Sequence, residues 1–294
     1  MLISQNGKTP IRKIYILPNL FTALNMFLGL AAIFNFYLAQ DNPDLLARGC
    51  WFIIFAAISD GFDGAVARLT KTQSTFGMEF DSLADLVSFG VAPAVAAFHV
   101  LHSIEGMHLR LLVGLCALYT ICDALRLARY NVGTSKKSPY GEFFGLPSPA
   151  AAGGVILACL MIHNYNLLAT DPPLLVPFLN IEAQRLVHFF LPLIVFSISL
   201  LMVCEIPYRS LSKRIRFKRQ ISFETLVSVI LIGVPLWAMA HEDRVILLFI
   251  LTYGYLIYAP IMALYRHLHA RHHPPMQEAP NGPSTGNGNS NGNG

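Results

Sequence analysis

The stretch Asp60-Gly61-Phe62-Asp63-Gly64-Ala65-Val66-Ala67-Arg68 and, after eight intervening residues, Gly77-Met78-Glu79-Phe80-Asp81-Ser82-Leu83-Ala84-Asp85 decides how this chain is read. It sets four aspartates inside apolar sequence. Cys50 to Ile58 on one side and Leu86 to Val100 on the other are lipid-like, so the two halves read as helices meeting at a short polar turn near Lys71 to Ser74. Helical spacing then becomes geometry. Asp60, Asp63, Gly64, Ala67 and Arg68 follow i, i+3, i+4, i+7, i+8 along one face, and Gly77, Asp81 and Asp85 follow i, i+4, i+8 along the next.

Folded as an antiparallel hairpin, these faces set Asp60 opposite Asp85, Asp63 and Gly64 opposite Asp81, and Arg68 level with Gly77 at the turn. Four carboxylates then converge in one small volume. Left unpaired they would repel one another and protonate, because a buried charge is paired or holds a metal. Hard divalent cations are the natural counter-charge, since oxygen ligands suit Mg²⁺, Mn²⁺ or Ca²⁺ and a second ion can share a ligand with the first. Protonated packing residues, or an ion path, are the alternatives for aspartates within a membrane. Neither explains Gly64 and Gly77 on the acidic faces, where a missing side chain admits a backbone or a ligand, nor Arg68 at the mouth, suited to phosphate.

The pattern Asp-x2-Asp-Gly-x2-Ala-Arg-x8-Gly-x3-Asp-x3-Asp resembles the signature of the CDP-alcohol phosphotransferases, with every fixed position filled. The resemblance implies that Asp60, Asp63, Asp81 and Asp85 bind a pair of divalent metals, Mg²⁺ or Mn²⁺, and that Asp85 is also the general base. It further implies that Gly64, Ala67, Arg68 and Gly77 lie against the CDP group, and that the protein is a homodimer. Two later stretches resemble one branch of that family, the phosphatidylserine synthases: Leu125-Arg126-Leu127-Ala128-Arg129-Tyr130-Asn131, and Phe144-Gly145-Leu146-Pro147-Ser148-Pro149 running on to Gly153. Pro18-Asn19-Leu20 with Asn25, and Ile206-Pro207-Tyr208-Arg209-Ser210, are similar to that branch too. What this implies is transfer of the phosphatidyl group of CDP-diacylglycerol to L-serine with release of CMP. Another acceptor, glycerol 3-phosphate or inositol phosphate, is the alternative within the family.

Outside the hairpin three residues stand as candidates for binding the acceptor or a phosphate. Arg126 and Arg129 follow Asp123 at i+3 and i+6, where two guanidiniums beside the acidic cluster suit a phosphate or a carboxylate. A positive helix end on the cytoplasmic side explains the same spacing equally well. Asn25, inside the first apolar run, is the third, and an interhelical hydrogen bond is its other reading.

The composition fixes the class. Of 294 residues, 54% are hydrophobic and 13% charged, with a mean hydropathy of +0.51, so the chain reads as an all-α integral membrane protein, a polytopic helical bundle. Apolar runs predict eight spans, near 20–38, 49–68, 81–102, 109–129, 149–168, 186–205, 223–240 and 245–265. The expected division is an N-terminal segment 1–16, a six-span core 17–220, two additional spans within 221–266 and a disordered tail 267–294. The first run is too long for a signal-peptide core and lacks a small-x-small cleavage site, so it reads as an uncleaved helix. The five cysteines have no CxxC or metal-like spacing and read as free packing thiols.

The basic run Lys213, Arg214, Arg216, Lys218 and Arg219 fits anionic lipid headgroups at the membrane surface, with no nucleic-acid partner expected. The His-rich stretch Arg266 to His273 reads as a basic juxtamembrane segment in preference to a metal site. Eight spans put 17 of the 21 lysines and arginines on the side of both termini, against Arg48, Arg110, Arg185 and Arg244 on the other. The positive-inside rule then turns the termini and the mouth of the acidic hairpin to the cytoplasm, in a bacterial inner membrane. Ion or proton transport is the rival function class, and the clustering of the aspartates near one face, without a path across, counts against it.

Overall fold

Helix α1 (Ile16–Leu38) shows why this chain belongs in lipid. Thr22, Asn25, Gly29, Ala32 and Phe36 lie buried along its inner side, while Leu20, Phe27 and Phe34, seven residues apart, are each more than 60% exposed on the outer. A helix satisfies its own backbone polar groups, so such a face is stable against hydrocarbon. The computed structural model describes residues 16–70, 74–104, 106–133, 143–165, 183–204, 207–208 and 245–272, with the backbone alone over 16–18, 63–70, 133, 143–144, 183–184, 207–208, 259 and 263–272.

After α1 come α2 (Asp44–Thr70) and α3 (Thr75–Asp85), which runs through a π-helical segment (Leu86–Val91) into α4 (Ala92–His102). Then follow α5 (Leu109–Gly133), β1 (Phe143–Phe144), α6 (Ser148–Asn164), α7 (Ala183–Val203), β2 (Pro207–Tyr208) and α8 (Val245–His272). Among the described residues six helical runs are long and apolar enough to cross a membrane: α1, α2, the continuous α3–α4, α5, α7 and α8. The protein is an integral membrane protein. The expected fifth span is present as α6 but shorter, 17 residues ending at Asn164, and the span expected near 223–240 lies outside the described residues. Helix α8 carries on through the His-rich stretch to His272.

At the centre stands α6, buried nearly all round from Ala151 to Ile162 as an evenly apolar helix should be. It packs against α2, α4, α7 and α8. Its Ala/Gly-rich first turns let those neighbours approach: a Cβ on Gly154 would lie 2.8 Å from Ile198 Cδ1 and 3.1 Å from Leu256 Cδ1.

Two features depart from plain helices. The third span is interrupted directly after Asp85, where the backbone widens and the Ala92 N–H bonds to the Val87 carbonyl five residues back. Pro93 has no N–H to give the Phe89 carbonyl. The Tyr119 hydroxyl donates to that carbonyl at 3.0 Å, and Thr120 Oγ1 donates to the Gly90 carbonyl at 3.2 Å, so α5 holds the irregular segment. The second departure is a small antiparallel ladder, Phe143 opposite Tyr208 and Phe144 opposite Pro207. The Leu146 N–H adds a bond to the Leu201 carbonyl at 3.0 Å. Gly145 sits at φ +84°, and a Cβ there would run into the Met202 carbonyl. Two stretches that look like separate motifs in the sequence therefore form one clasp over the α6–α7 end of the bundle.

Candidate active site

Carboxylate oxygens of Asp60 on α2 and of Asp81 and Asp85 on α3 come within 4.8 Å of one another. This is the convergence that the helical spacing predicts, with Asp85 8% exposed and the other two half-buried. Asp63, Gly64, Ala67 and Arg68 lie on the last turns of α2, where their side chains are outside the described residues. Gly77 opens α3. Ser74 caps that helix in extended backbone (φ −123°, ψ 151°), its hydroxyl accepting from the Gly77 N–H at 3.0 Å. A Cβ at Gly77 would stand 3.1 Å from Ser74 Oγ and 3.5 Å from Asn19 Oδ1, so this glycine lies between the cap and the start of α1.

The hairpin is braced from outside. Asn25 on α1 donates from Nδ2 to Asp85 Oδ1 at 3.0 Å, so the interhelical hydrogen bond open to Asn25 in the sequence is made to an acid of the cluster itself. Ser59, next to Asp60, donates to the Phe21 carbonyl at 2.9 Å. Ser88, three residues past Asp85, donates to the Asn25 carbonyl at 2.9 Å. Helix α1 is thus bonded to both arms close to their carboxylates. The sequence reading misses both serines, and their one signal is a hydroxyl within a turn of an acid on an otherwise apolar helix.

From α5, Arg126 directs Nε and Nη2 onto Ser148 Oγ at 2.9 and 2.5 Å, and the Ser148 hydroxyl donates to Asp123. Arg126 Nε lies 3.7 Å from Asp123 Oδ1. Arg129 points elsewhere, its Nη1 donating to the Val203 carbonyl at the end of α7 at 2.9 Å. At the α3 end, Asn131 donates to Ser82 Oγ at 3.0 Å and to Glu79 Oε2 at 3.3 Å.

The donor set fits divalent cations. Clustered carboxylates in an apolar bundle are all-oxygen ligands of the hard kind that Mg²⁺ and Mn²⁺ prefer, and they carry more negative charge than Arg126, already shared with Asp123, can balance.

Residues 15–188, from just before α1 into α7, match the sequence profile of the CDP-alcohol phosphatidyltransferase family, and all the residues named above as candidates fall inside that stretch. A Helicobacter pylori protein named CDP-diacylglycerol–serine O-phosphatidyltransferase is 38% identical over 232 residues, 79% of this chain and 87% of its own. This chain belongs to the CDP-alcohol phosphatidyltransferase family. Proteins of the same name from Methanocaldococcus jannaschii and Saccharomyces cerevisiae are 37% and 38% identical over 53% and 46% of the chain, covering 66% and 50% of their own lengths. Membership bears out the resemblance drawn from the hairpin signature. Helix α8 lies beyond the stretch that the family profile matches.

Proposed function

We propose that this family member transfers the phosphatidyl group of CDP-diacylglycerol to the hydroxyl of L-serine, giving phosphatidylserine and CMP, on the cytoplasmic side of a bacterial inner membrane and as a homodimer. The observation that carries the reading is the meeting of Asp60, Asp81 and Asp85 in a chain 38% identical to a bacterial protein named for this activity. The serine oxygen bonds to the phosphorus that carries diacylglycerol, the bond from that phosphorus to the bridging oxygen breaks, and CMP leaves. The serine hydroxyl is a poor nucleophile at neutral pH, so its proton must go to a base as the bond forms. Asp85 takes it. Asn25, bonded to Oδ1, fixes the plane of that carboxylate for the transfer. Divalent cations held by Asp60, Asp63, Asp81 and Asp85 would offset the charge of the pyrophosphate and of the departing CMP. As the family signature implies, Gly64, Ala67, Arg68 and Gly77 would lie against the CDP group, with Arg68 meeting its phosphates.

The test is CMP release by the purified protein in detergent from CDP-diacylglycerol, offered serine, glycerol 3-phosphate or inositol phosphate, with and without divalent metal. Metal-dependent release stimulated by serine alone is expected. Release with a different acceptor would keep the hairpin chemistry and overturn the choice of serine, and ion flux in liposomes free of CDP-lipid, without CMP release, would move the reading to transport.

A further inference from the structure

The geometry points to Ser148 and Asp123 as positioning residues that hold Arg126 in place for the carboxylate of the acceptor amino acid. This rests on the serine-transferring reading above. In the sequence Arg126 and Arg129 are equivalent candidates three residues apart; in the fold they are not. Arg129 is bonded to the Val203 carbonyl and ties α5 to the end of α7. Arg126 is held along one edge, with Nε and Nη2 both on Ser148 Oγ at 2.9 and 2.5 Å, and α5 runs beside the third span with Asp123 against Gly90 and Asn131 bonded to Ser82, which sets Arg126 level with the turn that follows Asp85. Among the described residues its Nη1 has no hydrogen-bond partner. A guanidinium clamped on one edge is a planar fork with the other edge presented in a fixed orientation, which suits a carboxylate.

The support behind Arg126 costs stability, which argues for a functional reason to keep it. Ser148 and Asp123 are both 0% exposed, and Asp123 Oδ2 is buried with no hydrogen-bond partner among the described residues. A buried carboxylate with one oxygen unmet is unfavourable. It is accommodated by Gly90 of the π-helical segment, where a Cβ would lie 2.8 Å from that oxygen. What Asp123 gains for the site is charge balance. The Arg126 charge is largely offset by Asp123, so the pair suits an acceptor that is itself a zwitterion, with a single negative charge at the carboxylate end. A dianionic phosphate acceptor would find little net positive charge there, and aspartates beside it.

The experiment is steady-state CMP release by the full-length protein in detergent with saturating metal, varying serine and CDP-diacylglycerol separately. The proteins are the wild type, Ser148→Ala, Arg126→Lys and the double variant. Ser148→Ala is expected to raise the KM for serine about tenfold while kcat and the KM for CDP-diacylglycerol stay within about twofold, the cost of losing a hydrogen bond to a charged group. Arg126→Lys keeps the charge beside Asp123 and loses the fork, so it raises the serine KM on its own. The double variant should be no worse than Arg126→Lys, because Ser148 acts through Arg126. An unchanged serine KM in either single variant, effects that add in the double, or kcat and both KM values shifting together would overturn the inference. A wild type that releases no CMP with serine would overturn the functional reading and this inference with it, whereas serine-dependent wild-type turnover with those variant results would overturn this inference alone.

Discussion

Gly29→Ala tests whether α1 sets the geometry of the acidic cluster. Gly29 faces inward on α1, and a Cβ built there would lie 2.7 Å from Ser88 Cα and 2.9 Å from Ser88 Cβ, with Ser88 Oγ closer still. Ordinary contact begins at 3.4 Å, so the new methyl falls about 0.7 Å short of fitting, and the atom opposite is main chain, which no side-chain rotation removes. The helix and the π-helical segment must part. Asn25 lies one turn before Gly29, and its bond to Asp85 spans the same gap; opened by about 0.7 Å from 3.0 Å, that contact passes the range of a hydrogen bond. Overpacking of this kind costs about 1–3 kcal/mol of stability. A lost hydrogen bond to an ionised group is worth about 1.5–3 kcal/mol, roughly ten- to hundredfold in rate at 1.36 kcal/mol per decade. The measurements are CMP release and thermal unfolding in the same detergent. Gly114→Ala, where nothing lies within 4 Å of the new Cβ, is the control and is expected to leave both unchanged. Wild-type turnover and melting in Gly29→Ala would refute the claim that the α1 contact positions Asp85.

Asp85→Asn should abolish turnover while the protein still inserts and purifies, because the amide keeps the shape and cannot take the serine proton; an active Asp85→Asn protein would remove Asp85 as the base. Tyr119→Phe takes away the hydroxyl on the Phe89 carbonyl, and a loss of about 1 kcal/mol is expected as a lower melting temperature, compounded in a Tyr119→Phe/Thr120→Val double variant. Unchanged melting of both would mean that α5 does not hold the π-helical segment.

The helices and the acidic cluster were legible because in a membrane the chain has few choices. Backbone polar groups must be satisfied within each span, so apolar runs become helices, and the 3.6-residue period then brings Asp60, Asp81 and Asp85 together. The unforeseen parts are those made by distant pairings. Ser59 and Ser88 bond carbonyls 38 and 63 residues away, and a serine in an apolar helix has no spacing that announces its partner. The β1–β2 ladder is two residues long, too short for any alternation to show. Pro93 marks an irregular span, but the site of the widened turn is set by hydroxyls on α5. The difference between Arg126 and Arg129 arises from what α6 and α7 bring to each.

These contacts separate what supplies the chemistry from what supplies its geometry. The hairpin carries the carboxylates, yet the bonds that brace their helical arms come from elsewhere: α1 through Asn25 and the Phe21 carbonyl, α5 through Tyr119 and Thr120. Carboxylates gathered within 4.8 Å repel one another strongly in a low-dielectric bundle, and without external bracing the arms would splay whenever no cation is held between them. Rigid bracing keeps the oxygens converged and so lowers the reorganisation that cation binding would otherwise require. On the proposed metal-dependent chemistry, loosening the braces that Tyr119 and Thr120 supply is expected to raise the divalent-cation concentration at which turnover saturates.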